Sequence, residues 1–296
     1  MLAGEITRLE SSVGEENVAG IAAETRLFLS SPSGLRLAAQ LANHLFAYNA
    51  TDDVVPFFGD HRLAHTEAYF QLRNSVYLAY HGFYSQAFST LRSVCELSLL
   101  QASLPEGNAI TDEKLTLLRS MFPPDCVLPD ADEVNWVLPV GLGAKQSPEQ
   151  EASSLEEWAV DGCRTPRWAR MLERLLGSDT ARRFDSETQL SARLKDCLAD
   201  LDPYVHARGR VRSATGLANG NMLRFSQESL LLFGAQLMCA MQVSIAMLLL
   251  AFLPTATSHP DAAAGFIDYG DLRRALSVLP SKDAELLRAI YDDRDG

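Results

Sequence analysis

Twenty-five consecutive residues, Ser229 to Leu253, carry no charge, and twelve of them are Leu, Ile, Val or Phe. A helix of that length and composition meets the requirement for crossing a bilayer. A helix enclosed on every side by other helices must have the same composition. The details favour enclosure. Gln236 and Gln242 lie within the run, no Trp or Tyr flanks it, and no Lys or Arg follows until Arg273. A membrane helix ordinarily carries interfacial aromatics and flanking cations. The run therefore reads as the central helix of a bundle, with a membrane span as the alternative. In either case the rest of the chain has to supply amphipathic partners.

Those partners are legible as helices. Residues 1–50 read as two amphipathic helices, the first ending near Leu29 at the loop Ser30-Ser-Pro-Ser-Gly34 and the second running from Leu35 to Tyr48. His61 to Leu104 reads as a helical hairpin turning at Gly82, where a left-handed cap is wanted. Residues 105–165, with Pro105, Pro123, Pro124, Pro129, Pro139 and Pro148, read as an irregular insertion with helical pieces at Thr111–Met121 and Ser154–Asp161. Thr165-Pro166 has the pattern of an N-cap and first helical position, predicting a helix to about Leu176 that stops at Gly177. Ser186-Glu-Thr-Gln189 matches a capping box and predicts a helix to about Leu201, with Asp202-Pro203 as its stop or a restart. The long apolar helix is expected from about Leu223 to Leu253, then a loop from Pro254 to Gly265, then two short helices split at Pro280. No useful β-alternation or internal repeat is present. The expected fold is an all-α helical bundle. Residues 1–58 form N-terminal helices, 59–253 the core with its insertion at 105–165, and 254–296 a C-terminal helical hairpin.

Chemistry-bearing residues concentrate in one place. The formal charge is −12, yet His206, Arg208, Arg210 and Arg212 fall within seven residues. A cationic knot in an acidic chain marks an anion or phosphate site, while the overall balance excludes general coating of nucleic acid. Neighbouring cations disfavour a charged imidazole, so a neutral His206 is available as a base. In an extended segment the three alternating arginines share one side and suit a phosphate chain. The bland reading is a solvated basic loop. Arg92 and Glu96 stand four apart on a polar stripe with Ser85, Ser89 and Ser93. They are either a solvated ion pair or a pair held inside the bundle facing a site.

Other chemistry is weakly signalled. His61 and His65 have metal-sharing spacing but no third ligand, so no metal is expected. Gly141-Leu-Gly143 lacks a dinucleotide fingerprint, Lys145 comes too early for a P-loop, and no cofactor is expected. Five cysteines without a CxxC pair read as reduced packing residues. The first ten residues contain early acids and no long apolar core, which points away from a secretory signal and towards the cytoplasm.

Tyr84-x-x-Ala-Phe-Ser-Thr-Leu-Arg-Ser-Val-Cys-Glu-Leu97 resembles the Leu-Arg-x-x-x-Glu helix of HEPN-like bacterial helical proteins, and Tyr204-Val-His206 resembles their histidine-bearing segment. The resemblance covers residues 60–105 and 186–253. It implies a compact, often dimeric α-bundle from toxin–antitoxin or antiviral defence systems, whose active members cut RNA. The chain departs from the ribonuclease motif: Ala199, Asp200 and Leu201 stand where an arginine is required, and the nearest upstream arginine is Arg193. Residues 271–291 are also similar to the opening of a sigma factor's region four, and read here as a helical hairpin. The combined expectation is a homodimeric defence or stress-response protein binding RNA or a nucleotide. Arg92, Glu96 and His206 would form its centre, with Arg208, Arg210 and Arg212 on phosphate. The alternatives are a non-catalytic module contacting a protein partner, or a membrane-anchored effector using 229–253.

Overall fold

The computed structural model describes residues 15–53, 63–104, 150–159, 163–205, 225–258 and 269–292. These residues form helices and no strand; one isolated backbone bridge joins Glu151 to Arg164. The helices are α1 (Glu15–Leu29), α2 (Pro32–Ala50), α3 (Leu63–Tyr80), α4 (Tyr84–Ser103), α5 (Leu155–Ala159), α6 (Trp168–Leu175), α7 (Asp179–Thr188), α8 (Leu190–Val205), α9 (Gln227–Ser258), α10 (Tyr269–Leu276) and α11 (Ser281–Asp292). The all-α fold expected from the sequence is the one observed.

The uncharged run is the middle of α9, and the bundle closes around it. Residues 243–250 are buried without interruption. Helix α9 packs against α4, α2, α11 and α8, while α4 packs in turn against α3, α8 and α6. By length and composition Gln227–Leu253 would also suit a membrane, but 67% of its most apolar stretch is already covered by protein. The two glutamines explain why polar groups sit in so apolar a helix. Gln236 Nε2 donates to Asp200 on α8 at 3.1 Å, and Gln242 Nε2 donates to the Val278 carbonyl at 2.9 Å. Each half-buried amide secures a neighbouring element. At Gly234 a Cβ would lie 2.5 Å from Leu37 Cδ1, so the Leu37 side chain of α2 occupies the space a larger residue would need there.

Secondary contacts fix the remaining elements. Gly82 has φ 81°, the left-handed turn expected between α3 and α4. A buried polar seam joins α2, α3 and α4: Tyr48 and Ser98 hydroxyls lie 2.9 Å apart, the His65 N–H donates to Gln101 Oε1, and His65 Nε2 lies 3.3 Å from Asp52. His65 is thus occupied structurally; His61 lies outside the described residues. Arg193 on α8 pairs with buried Asp283 on α11, which anchors the C-terminal hairpin. Burial pushes the Asp283 carboxyl above its ordinary value and the arginine offsets this only in part, so the pair orients α11 more than it stabilises it. Cys95 and Cys197 meet at Sγ–Sγ 3.9 Å in the interface of α4 and α8. The Cys239 thiol is pushed above its ordinary value by its hydrogen bond with Cys197 and by burial, the state of an unreactive packing group.

Several helix boundaries differ from those expected, each for a local reason. Ser31 caps α2 by accepting from the Gly34 N–H at 3.2 Å, with Pro32 in the first turn, so the presumed loop is the start of the helix. Thr165 does not cap α6, because its hydroxyl accepts from Trp158 Nε1 at 3.0 Å; α6 starts at Trp168 instead. The capping-box pattern at 186–189 ends a helix, α7, which Ser178 opens, and Gln189 takes the left-handed cap position at φ 57°. Asp185 then caps α8 by accepting from the Ser191 N–H and hydroxyl at 2.7 and 2.9 Å. Helix α8 continues through Pro203 to Val205, and α9 through Pro254 to Ser258. The helical piece expected at Thr111–Met121 lies outside the described residues.

Candidate functional site

Helix α4 puts Arg92 and Glu96 on one face, one turn apart, and α8 brings Asp202 to meet them. Arg92 Nε donates to Glu96 Oε1 at 3.0 Å, and Arg92 Nη1 donates to Asp202 Oδ1. The arginine side chain is 15% exposed, against 37% and 31% for the carboxylates, so the guanidinium is enclosed and its partners edge towards solvent. Burial pulls the Arg92 pKa down, but Asp202 and Glu96 together outweigh it and the net direction is up. Arg92 remains charged and committed.

That commitment changes what the arginine does. Two carboxylates against one guanidinium leave an excess of one negative charge, which does not attract phosphate. Arg92 instead clamps the end of α8 to α4. Aromatic packing reinforces the clamp: Phe88 stacks on Tyr204 at 4.3 Å and meets Phe233 of α9 edge-on at 5.8 Å. Tyr204 is fixed and Val205 is exposed. The chain enters the cationic segment immediately afterwards. His206, Arg208, Arg210 and Arg212 lie outside the described residues. Of the residues expected to converge, Arg92 and Glu96 are therefore seen together.

Asp202 was legible only as a helix stop. Asp-Pro is a common boundary, because the residue before proline is pushed out of the helical region. Its pairing across 110 residues of sequence has no local signal.

A cavity of about 370 Å³ lies beside Glu96, between α4 and the start of α6. Glu96, Thr165, Arg167 and Trp168 line it together with apolar Pro166, Ala169 and Met171. The chain leading up to this lining is cross-braced. Ala152 N donates to the Arg164 carbonyl and Arg164 N to the Gln150 carbonyl, at 2.9 and 2.8 Å. Glu151 accepts from both Arg164 and Arg170. Helix α5 is capped by Ser154, whose hydroxyl accepts from the Glu157 N–H. Glu157 itself accepts from the Ser153 N–H and hydroxyl, both at 2.7 Å; the Ser153 backbone bond is the main cause holding this carboxyl below its ordinary value. Periodicity carried no sign of this cavity, since its lining joins α4 to residues 165–171, which are distant from it in sequence.

Among the described residues no group of three or more metal-ligating side chains is assembled. Comparison with protein-family models, curated proteins and solved structures finds no match.

The Arg92–Asp202 clamp predicts energetic coupling. Arg92→Ala is expected to cost about 2 kcal/mol, since it leaves two carboxylates facing each other without a cation. In urea unfolding, Arg92→Ala, Asp202→Asn and the double variant should show a coupling of about 1 kcal/mol or more. Additivity to within about 0.3 kcal/mol would show that the two side chains do not act together.

Proposed function

We propose that this chain is a cytoplasmic, HEPN-like bacterial defence or stress-response protein that binds RNA or a nucleotide at the end of α8. The observation that carries the reading is the Arg92–Asp202 clamp. It fixes the bundle at a point three residues before the Val205 terminus of α8 and four residues before His206. A cationic segment that follows a rigid helix end has a defined origin, which a phosphate-binding loop requires. In this reading Arg92 is a positioning residue and Glu96 borders the ligand. His206 supplies a neutral base or a hydrogen bond, and Arg208, Arg210 and Arg212 hold phosphate. No hydrolytic step is assigned. Where the resembling ribonuclease motif needs an arginine, Ala199 is exposed, Asp200 accepts from Gln236, and Leu201 is buried in the core.

Apolar side chains left on the surface favour a second element of the proposal, self-association. Leu35 and Phe46 of α2 and Leu231 and Leu232 of α9 are all exposed. A two-fold dimer would bury such groups in a self-complementary patch. Light scattering at micromolar concentration should return twice the chain mass; a monomer at the highest soluble concentration contradicts the dimer.

The binding reading is tested by titrating a short single-stranded RNA into the intact protein at several salt concentrations. Changing Arg208, Arg210 and Arg212 together to Ala should weaken binding and flatten the salt dependence by about 2 logarithmic units per decade of salt, since each phosphate contact contributes about 0.7. Unchanged affinity and slope would rule these arginines out as the phosphate ligands.

A further inference from the structure

We propose that the cavity between α4 and the start of α6 receives one unpaired nucleobase, so that the ligand is a single strand or a mononucleotide and not a duplex. The inference rests on the nucleotide-binding reading above and narrows it. Four observations carry it.

The first is size. About 370 Å³ lies near the lower end of small-molecule sites, which run from about 300 to 1,000 Å³. It admits a base with part of its sugar and excludes a helix. The second is the lining. Pro166, Ala169 and Met171 give apolar walls, and Trp168 gives a large indole that packs on the core. Aromatic side chains are the usual platform for splayed bases, because every base offers a π-face. The Trp168 indole has no hydrogen-bond partner among the described residues, in contrast to that of Trp158, which is tied to Thr165. Packing alone holds it.

The third observation is the carboxylate. Glu96 gives Oε1 to Arg92, and its Oε2 has no partner among the described residues. An ionised carboxylate is acceptor-only and suits the exocyclic amine or ring N–H of a base. A purely apolar ligand would leave that oxygen unpaired, and a bare phosphate would face its charge. The fourth is a cation at the rim. Arg167 is exposed, forms no ion pair among the described residues, and stands at the uncapped start of α6. Guanidinium and helix terminus both favour the phosphate that a base brings with it. The apolar walls and the acceptor suit a base, and the cation suits the phosphate attached to it.

The test uses calorimetric titration of the intact chain with AMP, CMP and ribose 5-phosphate, and anisotropy with a short single-stranded RNA and its duplex. The mononucleotides should bind about tenfold more tightly than ribose 5-phosphate, the increment expected for stacking one base. Trp168→Ala should collapse that ratio towards one, and Trp168→Phe should preserve it, with thermal melting of both variants confirming the fold. Glu96→Gln should change the preference between the two bases. Preference for the single strand over AMP and CMP identifies a polymer as the source of the base; equal affinity identifies the free nucleotide. Nucleotides binding no better than ribose 5-phosphate, with RNA still bound through Arg208, Arg210 and Arg212, would overturn the base pocket and leave the RNA reading standing. Failure of RNA, nucleotides and sugar phosphate alike would overturn both.

Discussion

The structure depends on enclosing one long apolar helix, charged only at Glu228 in its first turn. A 32-residue α9 with buried residues on every side of its middle has no solvent-facing stripe to orient it. Its position is fixed by what surrounds it, principally α4 and α2. Hydrophobic burial is non-directional, so it supplies cohesion but little register. Register comes from the few groups that break the apolar pattern. Gln236 and Gln242 each reach one neighbour, Gly234 admits Leu37, and Phe233 meets Phe88.

Helix α4 is the second pivot, and it links the core to the candidate site. One of its faces buries Phe88, Leu91, Val94, Cys95 and Leu99. The neighbouring face carries Arg92 and Glu96, which meet Asp202 and border the cavity. A single rigid element thus positions the clamp on α8 and one wall of the pocket. Ion pairs at a solvated surface are worth little, whereas an arginine held largely out of water between two carboxylates cannot lose a partner cheaply.

The fold was legible because most of its determinants are periodic. The hairpin turn at Gly82, the central helix and the two short C-terminal helices split at Pro280 all follow from apolar spacing and from glycine or proline punctuation. Boundaries were less legible, because capping is a competition the sequence does not display. Thr165 offers a good N-cap hydroxyl, but Trp158 takes it. Ser186-Glu-Thr-Gln189 has the capping-box spelling, but Ser178 opens that helix earlier and Asp185 caps the next one. The site was half legible. Arg92 and Glu96 stand out as an i,i+4 pair on a helix with chemistry nearby. Asp202 and the Trp168 cavity arise from contacts between segments distant in sequence, and no local pattern announces them.

The account stands on α9 being the most protected element of a folded bundle in water. Native-state hydrogen exchange tests this most directly. Amides between Ala240 and Leu250 should exchange only through global unfolding and be the slowest in the protein, with α1 and α10 faster. Exchange of that stretch at rates equal to or above those of α1 and α10, in detergent-free solution, would contradict the central claim.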